Sequence, residues 1–475
     1  MPMPIVDLPV YGGSYATKSK LFSSQRWVNM YYSPAQGAAL SDGMAVGVEG
    51  VSQVATAGDF RYPSRGCLVM DGIPYRVQGG TLQRQNADDT LTNLGVIAGE
   101  ERVSLATNGT QLMVVNELGN GYIYDKDTSL LTAISSTAFT GDNGKPLSVC
   151  YASGYFVCPT DEKKFIGSAI DDGLSWNALD FSRADGDPDK IVSDLSFRGQ
   201  LYMLGETTTE GFQNVGGADF PWAKNGILIN KGLSFRHAVV VTSDAFFWLG
   251  AGVGETPAIW FSTGQDAKKV STDAEDFFIR GELTKEGIEN TFAFSYSLDG
   301  SYFVGFTFPS KTIVFNITSQ RWFERESLID GLAYRWRANC LCQAYGSIYI
   351  GDFKDGRIGK LDDSLFTEYD GLLVSKWIGQ PFYNSGKPIF IISVKVTCEA
   401  GVGNALSTDP KIRLAFSTDG RTEGYERERS LGKVGEYHRI TKWNRCGRFD
   451  HIVMLILTMS DKAKRMILKI EADIR

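Results

Sequence analysis

Histidine is scarce in this sequence, with three among 475 residues. His237, His438 and His451 stand far apart, and neither HExxH nor HxH occurs, so a histidine-built zinc site has no sequence basis. Cysteine is also sparse. Cys67, Cys150, Cys158, Cys340, Cys342, Cys398 and Cys446 include no CxxC pair, and most sit in apolar, strand-like runs. They read as buried free thiols of a reducing compartment rather than as a disulfide framework. GxSxG, P-loop and GxGxxG sequences are missing, which removes the common nucleophile elbow and phosphate cradles. The longest apolar runs, such as "HIVMLILTM" over 451–459, fall far short of the ~20 residues that a membrane helix needs. The opening "MPMPIVDLPVYGG" has no basic stretch leading into an apolar one, so no signal peptide is expected. Basic residues are in deficit, 48 against 55 acidic, for a net charge of −7. That argues against a general nucleic-acid-coating role but leaves room for a local basic patch.

Glycine and aromatic residues, in contrast, are plentiful: 52 glycines and 12% aromatics favour strands and turns over helices. The stretch "RVSLATNGTQLMVVNELGNGYIYD" (102–125) reads as short strands about a tight Asn108-Gly109 turn. The "NGT" there is formally a glycosylation sequon, but with no secretion signal it reads as a turn. Its rhythm returns in "DGIPYRV", "SGYFVC", "RGQLYML", "SDAFFWL", "DGSYFVG" and "YGSIYIG". The turn residues are Gly72, Gly109, Gly154, Gly199, Asp244, Gly300 and Gly346, separated by 37, 45, 45, 45, 56 and 46 residues. Glycine or aspartate at the corner suits the positive φ of a primed hairpin turn. Three positions later stands a large or apolar residue: Tyr75, Leu112, Val157, Tyr202, Phe247, Phe303 and Tyr349. One fixed place on the following strand implies one repeated core contact.

A period near 45 residues with about four short strands per unit is that of a β-propeller blade. The predicted fold is therefore all-β: a propeller of seven blades, or six if one repeat belongs to a flanking element. The competing architecture is a pair of β-sandwiches with evenly spaced strands. The long 56-residue interval holds "STDAEDFFIRGEL", where Thr272 and Glu275 form a capping-box pattern. It predicts a short helix between blades five and six, with Phe277, Phe278 and Leu283 as its apolar stripe.

The ends differ from the repeat. Residues 1–60, with "RWVNMYYSPAQG", predict an extended arm; residues 61–372 the propeller; and residues 373–475 a C-terminal antiparallel β-sandwich or jelly roll. In the last part, "PIFIISVKVTCEA", "PKIRLAFSTDG", "YHRITKW", "HIVMLILTM" and "RMILKIEADI" read as strands.

No residue is nominated as catalytic, cofactor-binding or metal-ligating, and neither cofactor nor enzymatic activity is expected. Three motifs bear on that expectation. "DGDPD" (Asp185, Asp187, Asp189) opens like a calcium loop but has Lys190 and Ser196 where glycine and glutamate are required. "AIDDGLSWNAL", with Asp171, Gly173, Ser175 and Trp176, resembles the Asp-box of sialidase-type propellers, a structural brace remote from their active site. The basic run "HRITKWNRCGR" (438–448) suits the solvent face of a strand pair, or a phosphate or acidic partner.

Several stretches resemble the tail-hub, or packaged-DNA stabilisation, proteins of short-tailed bacteriophages. They are "VNMYYSP", "RVSLATNGTQLMVV", "DDGLSWNALDFSRADGDPD", "GFQNVGGADFPW", "FFWLG" and "SLGKVGEYHRITKWNRCGRFDHIVMLIL", in the family's order and spanning nearly the whole chain. The resemblance implies a virion structural protein of the tail, assembled in the host bacterial cytoplasm. It implies a homo-oligomer, a hexameric ring beneath the portal and its adaptor. That ring continues the DNA channel, retains packaged DNA without specific binding, and carries tailspikes, fibres or a needle. Two other readings predict different features. A sialidase- or glycosidase-type propeller needs arginines with carboxylates at the central mouth. A carbohydrate-binding protein needs exposed aromatics, such as Trp222 or Trp336, to stack on sugars.

Overall fold

The computed structural model describes residues 5–8, 10, 12–56, 62–216 and 220–475. The "MPMP" start, the expected boundary at 60/61 and residues 217–219 of "GFQNVGGADFPW" lie outside the described residues. Strands account for 54% of the described residues and helix for 4%.

Seven four-stranded antiparallel units follow one another. The first five are separate sheets spanning Ser64–Val96, Ser104–Ala133, Cys150–Arg183, Ile191–Ile229 and Val239–Lys269. The sixth runs Phe292–Ile329. The seventh takes three strands from Ala338–Asp362 and its outermost strand, Gly50–Thr56, from the N-terminal part of the chain. The innermost strands of all seven line one axial cavity of about 690 Å³. Seven small sheets around a common axis make a seven-bladed β-propeller.

The hairpin reading holds at atomic detail. In five corners, Asp71-Gly72, Ser153-Gly154, Arg198-Gly199, Asp299-Gly300 and Tyr345-Gly346, both residues have positive φ, the type I′ geometry that matches strand twist. At Gly109 only the glycine does, and Asn108 Oδ1 accepts from the amides of Thr110 (2.9 Å) and Gln111 (2.6 Å). Asp244 departs from the expectation: its φ is not positive, and Thr242 closes the turn by accepting and donating to Ala245. The residue three positions on is buried in every repeat, from 0% exposed at Leu112 and Val157 to 4% at Phe247. These residues build the layers between blades. Tyr75, Leu112 and Tyr124 join blades one and two, and Val157, Leu201 and Phe212 join three and four.

The helix between blades five and six is present as Asp273–Glu282, with Thr272 as N-cap and Glu275 completing the capping box. Its buried residues are Ala274, Glu275, Ile279 and Glu282, while Phe277 is exposed and Phe278 packs edge-on against Phe308. Of the expected stripe, Phe278 packs against the blade core and Phe277 faces solvent, since the helix turns its 274/278/279 side to the blades.

Behind blades six and seven sits a two-sheet sandwich. One sheet has the order Met30–Pro34, Gly43–Gly47, Met466–Ile474, Ile389–Cys398, Thr441–Phe449, and Ile5–Leu8 pairs with its Met466–Ile474 strand. The other contains Ser24–Val28, Ser375–Ile378, Ile452–Met459, Lys411–Ser417 and Arg427–Ser430. Strand Ser24–Val28 lies between the sandwich and the outer strand of blade six, touching Glu324 through Val28. The N-terminal strands are therefore divided between sandwich and propeller. One hydrophobic core runs through both, from Phe294, Trp336 and Ile350 to Trp27, Trp377, Leu414 and Leu455.

Candidate functional site

The propeller axis is the first place to look for function, since loops of every blade converge there. Arg102, just before the inner strand of blade two, reaches across it. Its guanidinium stacks 3.7 Å from the centroid of Phe292 in blade six and donates to the carbonyl of Asn339 on the inner strand of blade seven. Burial lowers its pKa to about 10. Arg236 lies nearby, and burial together with these two cations pushes His237 well below its ordinary value, so the imidazole is neutral. A crossing guanidinium and a cavity of small-ligand size close the axis to a double helix.

Carboxylate chemistry at the axis sits apart from those cations. Asp194, in blade four, is raised to about 6 by burial, against the hydrogen bonds of Ser148 (2.6 Å) and Cys150. Outside, one mouth of the axis is charged, with Glu101, Glu117, Asp161, Glu206 and Glu289 beside Arg102, Lys190 and Arg236. Two of these carboxylates brace loops: Glu117 accepts from the Glu100 amide (2.8 Å) and pairs with Arg65 (3.2 Å), and Asp161 accepts from the Lys145 amide (2.8 Å). Sequence reasoning missed Arg102 and Arg236, because a hairpin reading treats residues just before a strand as punctuation.

The motifs weighed from the sequence fall into structural places. In the Asp-box stretch, Trp176 Nε1 donates to the Gly173 carbonyl (2.7 Å), Ser175 Oγ to Asp172 (2.6 Å), and the Trp176 ring packs on Phe139. The bracing carboxylate is Asp172, while Asp171 accepts from the Tyr151 hydroxyl. In "DGDPD", Asp189 caps the Thr207–Thr208 turn through both amides (2.8 and 2.9 Å), and Asp185 pairs with Lys224. Asp185 and Asp189 therefore serve separate partners, and no metal-competent cluster occurs among the described residues. In strand Thr441–Phe449, Thr441, Trp443 and Cys446 are buried, whereas Lys442, Arg445 and Arg448 face solvent. Trp222 and Trp336, the proposed sugar platforms, are 4% and 1% exposed and so cannot stack on a glycan. His438 and His451 are exposed and far from the axis-lining His237.

The second polar concentration is the seam between propeller and sandwich. Glu324, in the outer strand of blade six, meets Arg26 of the N-terminal strand and Lys311. Burial opposes its charge, yet the two cations hold it at about 2. Arg325 is sealed against Glu49, with Tyr296 OH accepting at 2.9 Å and the guanidinium 3.7 Å over Trp336. Arg337 pairs with Asp352 and Asp355, and Ser327 donates to Glu368 (2.9 Å). Of these, the Arg26–Glu324 and Glu49–Arg325 pairs tie the N-terminal part of the chain to blade six.

Comparison with known proteins yields two consecutive family matches. Residues 6–365 match "Bacteriophage P22 Gp10, beta-propeller" and residues 377–475 match "Bacteriophage P22 Gp10, beta-sandwich". No curated protein sequence matches the chain. Among solved structures it is similar to the WD40 β-propeller domain of Doa1, at 13% identity, TM-score 0.40, covering 66% of this chain and 97% of that one. It is also similar to U3-55K, at 9% identity, TM-score 0.42, covering 66% and 99%.

Proposed function

Given that the chain belongs to the bacteriophage P22 Gp10 family, whose members are packaged-DNA stabilisation proteins of the phage tail, we propose that it acts as one segment of a hexameric tail hub below the portal and adaptor. Membership makes it a structural protein of the virion tail with a part in DNA stabilisation. Ring assembly, the DNA conduit and the anchoring of tailspikes, fibres or a needle are the finer content of the proposal. So is the absence of turnover, and so is assembly in the host cytoplasm.

The observation that carries it is the match of both modules in order. The bridged axis adds a constraint: since Arg102 crosses the propeller's centre, a duplex has to pass between subunits rather than through one. A rigid propeller–sandwich unit suits a wall segment, because its seam resists shear. The net charge of −7 suits a wall along which phosphates must slide, since a basic wall would hold DNA through many ion contacts. No helix among the described residues is long and apolar enough to cross a membrane.

The test is assembly and retention. Mixed with the portal–adaptor complex, the protein is expected to form a sixfold ring by electron microscopy, and phage lacking it to lose packaged DNA. A protein that stays monomeric with that complex, together with mutant virions that keep their genomes, would sink the proposal.

A further inference from the structure

Three cysteines meet where the propeller ring closes. Cys67 lies on the inner strand of blade one, Ser64–Met70; Cys340 and Cys342 lie two residues apart on the inner strand of blade seven, Ala338–Ala344, whose neighbour is that same blade-one strand. Cys67 packs against the buried cluster of Cys342, Tyr349 and Ile358. The Cys340 sulfur also leans toward blade one: a Cβ on Gly351 would lie 2.8 Å from it and 2.0 Å from Ser64 Oγ, so both share the space above that glycine. All three residues line the axial cavity of about 690 Å³, which admits small solutes.

Beside them lies a cation without a carboxylate. Arg76 is the direct cross-strand partner of Cys67 and is fully buried. It donates to Gln85 Oε1 (2.5 Å), while its Nε and one terminal nitrogen have no hydrogen-bond partner, and no ion pair reaches it among the described residues. A buried charge of this kind needs an anion nearby. The Cys67 S–H together with the Arg76 and Arg102 guanidiniums holds Cys340 below the usual thiol range. Two guanidiniums also disfavour a divalent metal among the three sulfurs. Thiolate chemistry fits where metal binding does not.

We propose that Cys67, Cys340 and Cys342 form a thiol–disulfide exchange site that latches blade seven to blade one. The oxidant is a small organic disulfide reaching the axial cavity. The Cys340 thiolate attacks one of its sulfurs, forming a mixed disulfide and releasing one thiolate. Cys67 then attacks the Cys340 sulfur, its proton passing to the departing sulfur, which leaves as the second thiol. One protein disulfide forms, two cysteines are oxidised, and one reagent disulfide becomes two thiols. Cys342 can replace Cys340 by attack on the Cys67 sulfur. The chain from Cys67 to Cys340 passes through blades one to six, so the new bond turns it into a covalent hoop around the axis. Without it, closure rests on packing and on the zipper between Gly50–Thr56 and Arg357–Asp362.

This inference is independent of the tail-hub reading. The native, reduced full-length protein is treated with bis(hydroxyethyl) disulfide, alkylated and digested with trypsin. The expected product joins peptide 66–76 to peptide 338–354 with loss of two hydrogens. The unfolding midpoint rises by about 5 °C and returns on reduction. Cys67→Ala abolishes both effects, while Cys340→Ala retains the crosslink through Cys342. Peptide mapping of the unsubstituted protein decides the matter even if a variant fails to fold. Mixed disulfides alone, crosslinks that leave Cys67 free, or no reaction at the three sites would each overturn the proposal.

Discussion

Asn29 and Glu326 exchange two hydrogen bonds: Asn29 Nδ2 donates to the Glu326 carbonyl (2.8 Å), and the Glu326 amide donates to Asn29 Oδ1 (3.1 Å). The same Nδ2 also donates to the Val374 carbonyl of the sandwich (2.9 Å), and Ser375 Oγ donates to the Asn29 carbonyl (3.0 Å). One amide thus ties the N-terminal strand, blade six and the sandwich together. Asn29 has φ +51°, a conformation asparagine tolerates better than most residues. Asn29→Asp keeps the shape but turns two donor contacts into oxygen facing carbonyls. It is expected to lower stability by about 2–4 kcal/mol, read as a lower denaturant midpoint, since buried unsatisfied acceptors and a buried charge both cost.

Glu49 is the carboxylate between two buried guanidiniums. It pairs with Arg325, and its field also reaches Arg465, which is 3% exposed and donates to the Val48 carbonyl (3.1 Å). Glu49→Ala leaves both cations uncompensated, and a loss of about 3–5 kcal/mol is expected in chemical unfolding. Replacing Glu49 and Arg325 together by apolar residues is expected to recover most of it. A double variant as unstable as Glu49→Ala would contradict that.

Glu368 gives the seam a pH signature. Burial raises it to about 7, against the Ser327 hydrogen bond and the Arg337 and Arg325 charges. Its folded value exceeds its unfolded one, so the folded state binds the extra proton. Its contribution is present at acid pH and is lost as pH climbs from the ordinary carboxylate range through about 7. Glu368→Gln imitates the protonated form. It should match the parent at pH 4 and exceed it at pH 8 by on the order of 2–3 kcal/mol. Thermal midpoints across that range check the crossover.

The repeat itself is open to mutation. Leu112 is 0% exposed and sits between blades one and two, at the position shared by all seven hairpins. Leu112→Ala is expected to cost about 2–5 kcal/mol, measured by chemical unfolding. A near-neutral result would mean that the shared position does not carry the inter-blade contact.

Seven hairpins were legible because turn chemistry and the apolar position after it are local: Asp71-Gly72 and Tyr75 lie within five residues of one another. The capping box was legible for the same reason. Partnerships across the chain were not. Nothing in "GVSQVAT" says that it pairs with Arg357–Asp362, and the arm assigned to residues 1–60 contributes that strand to blade seven and others to the sandwich. Cys340 and Cys342 stand two residues apart on one strand. Only closure of the ring brings Cys67 to them.

The outer strand of blade seven is translated long before the strand it joins. Some 300 residues separate them, so at bacterial rates of about 5–20 residues per second its edge waits on the order of 15–60 s without its native partner. The nascent chain therefore carries a sticky, unsatisfied β-edge through most of synthesis, and the circle cannot shut until the last blade leaves the ribosome. Maturation of the molecule is bound to be a late, all-at-once event, and crowding among unfinished chains is its point of greatest danger.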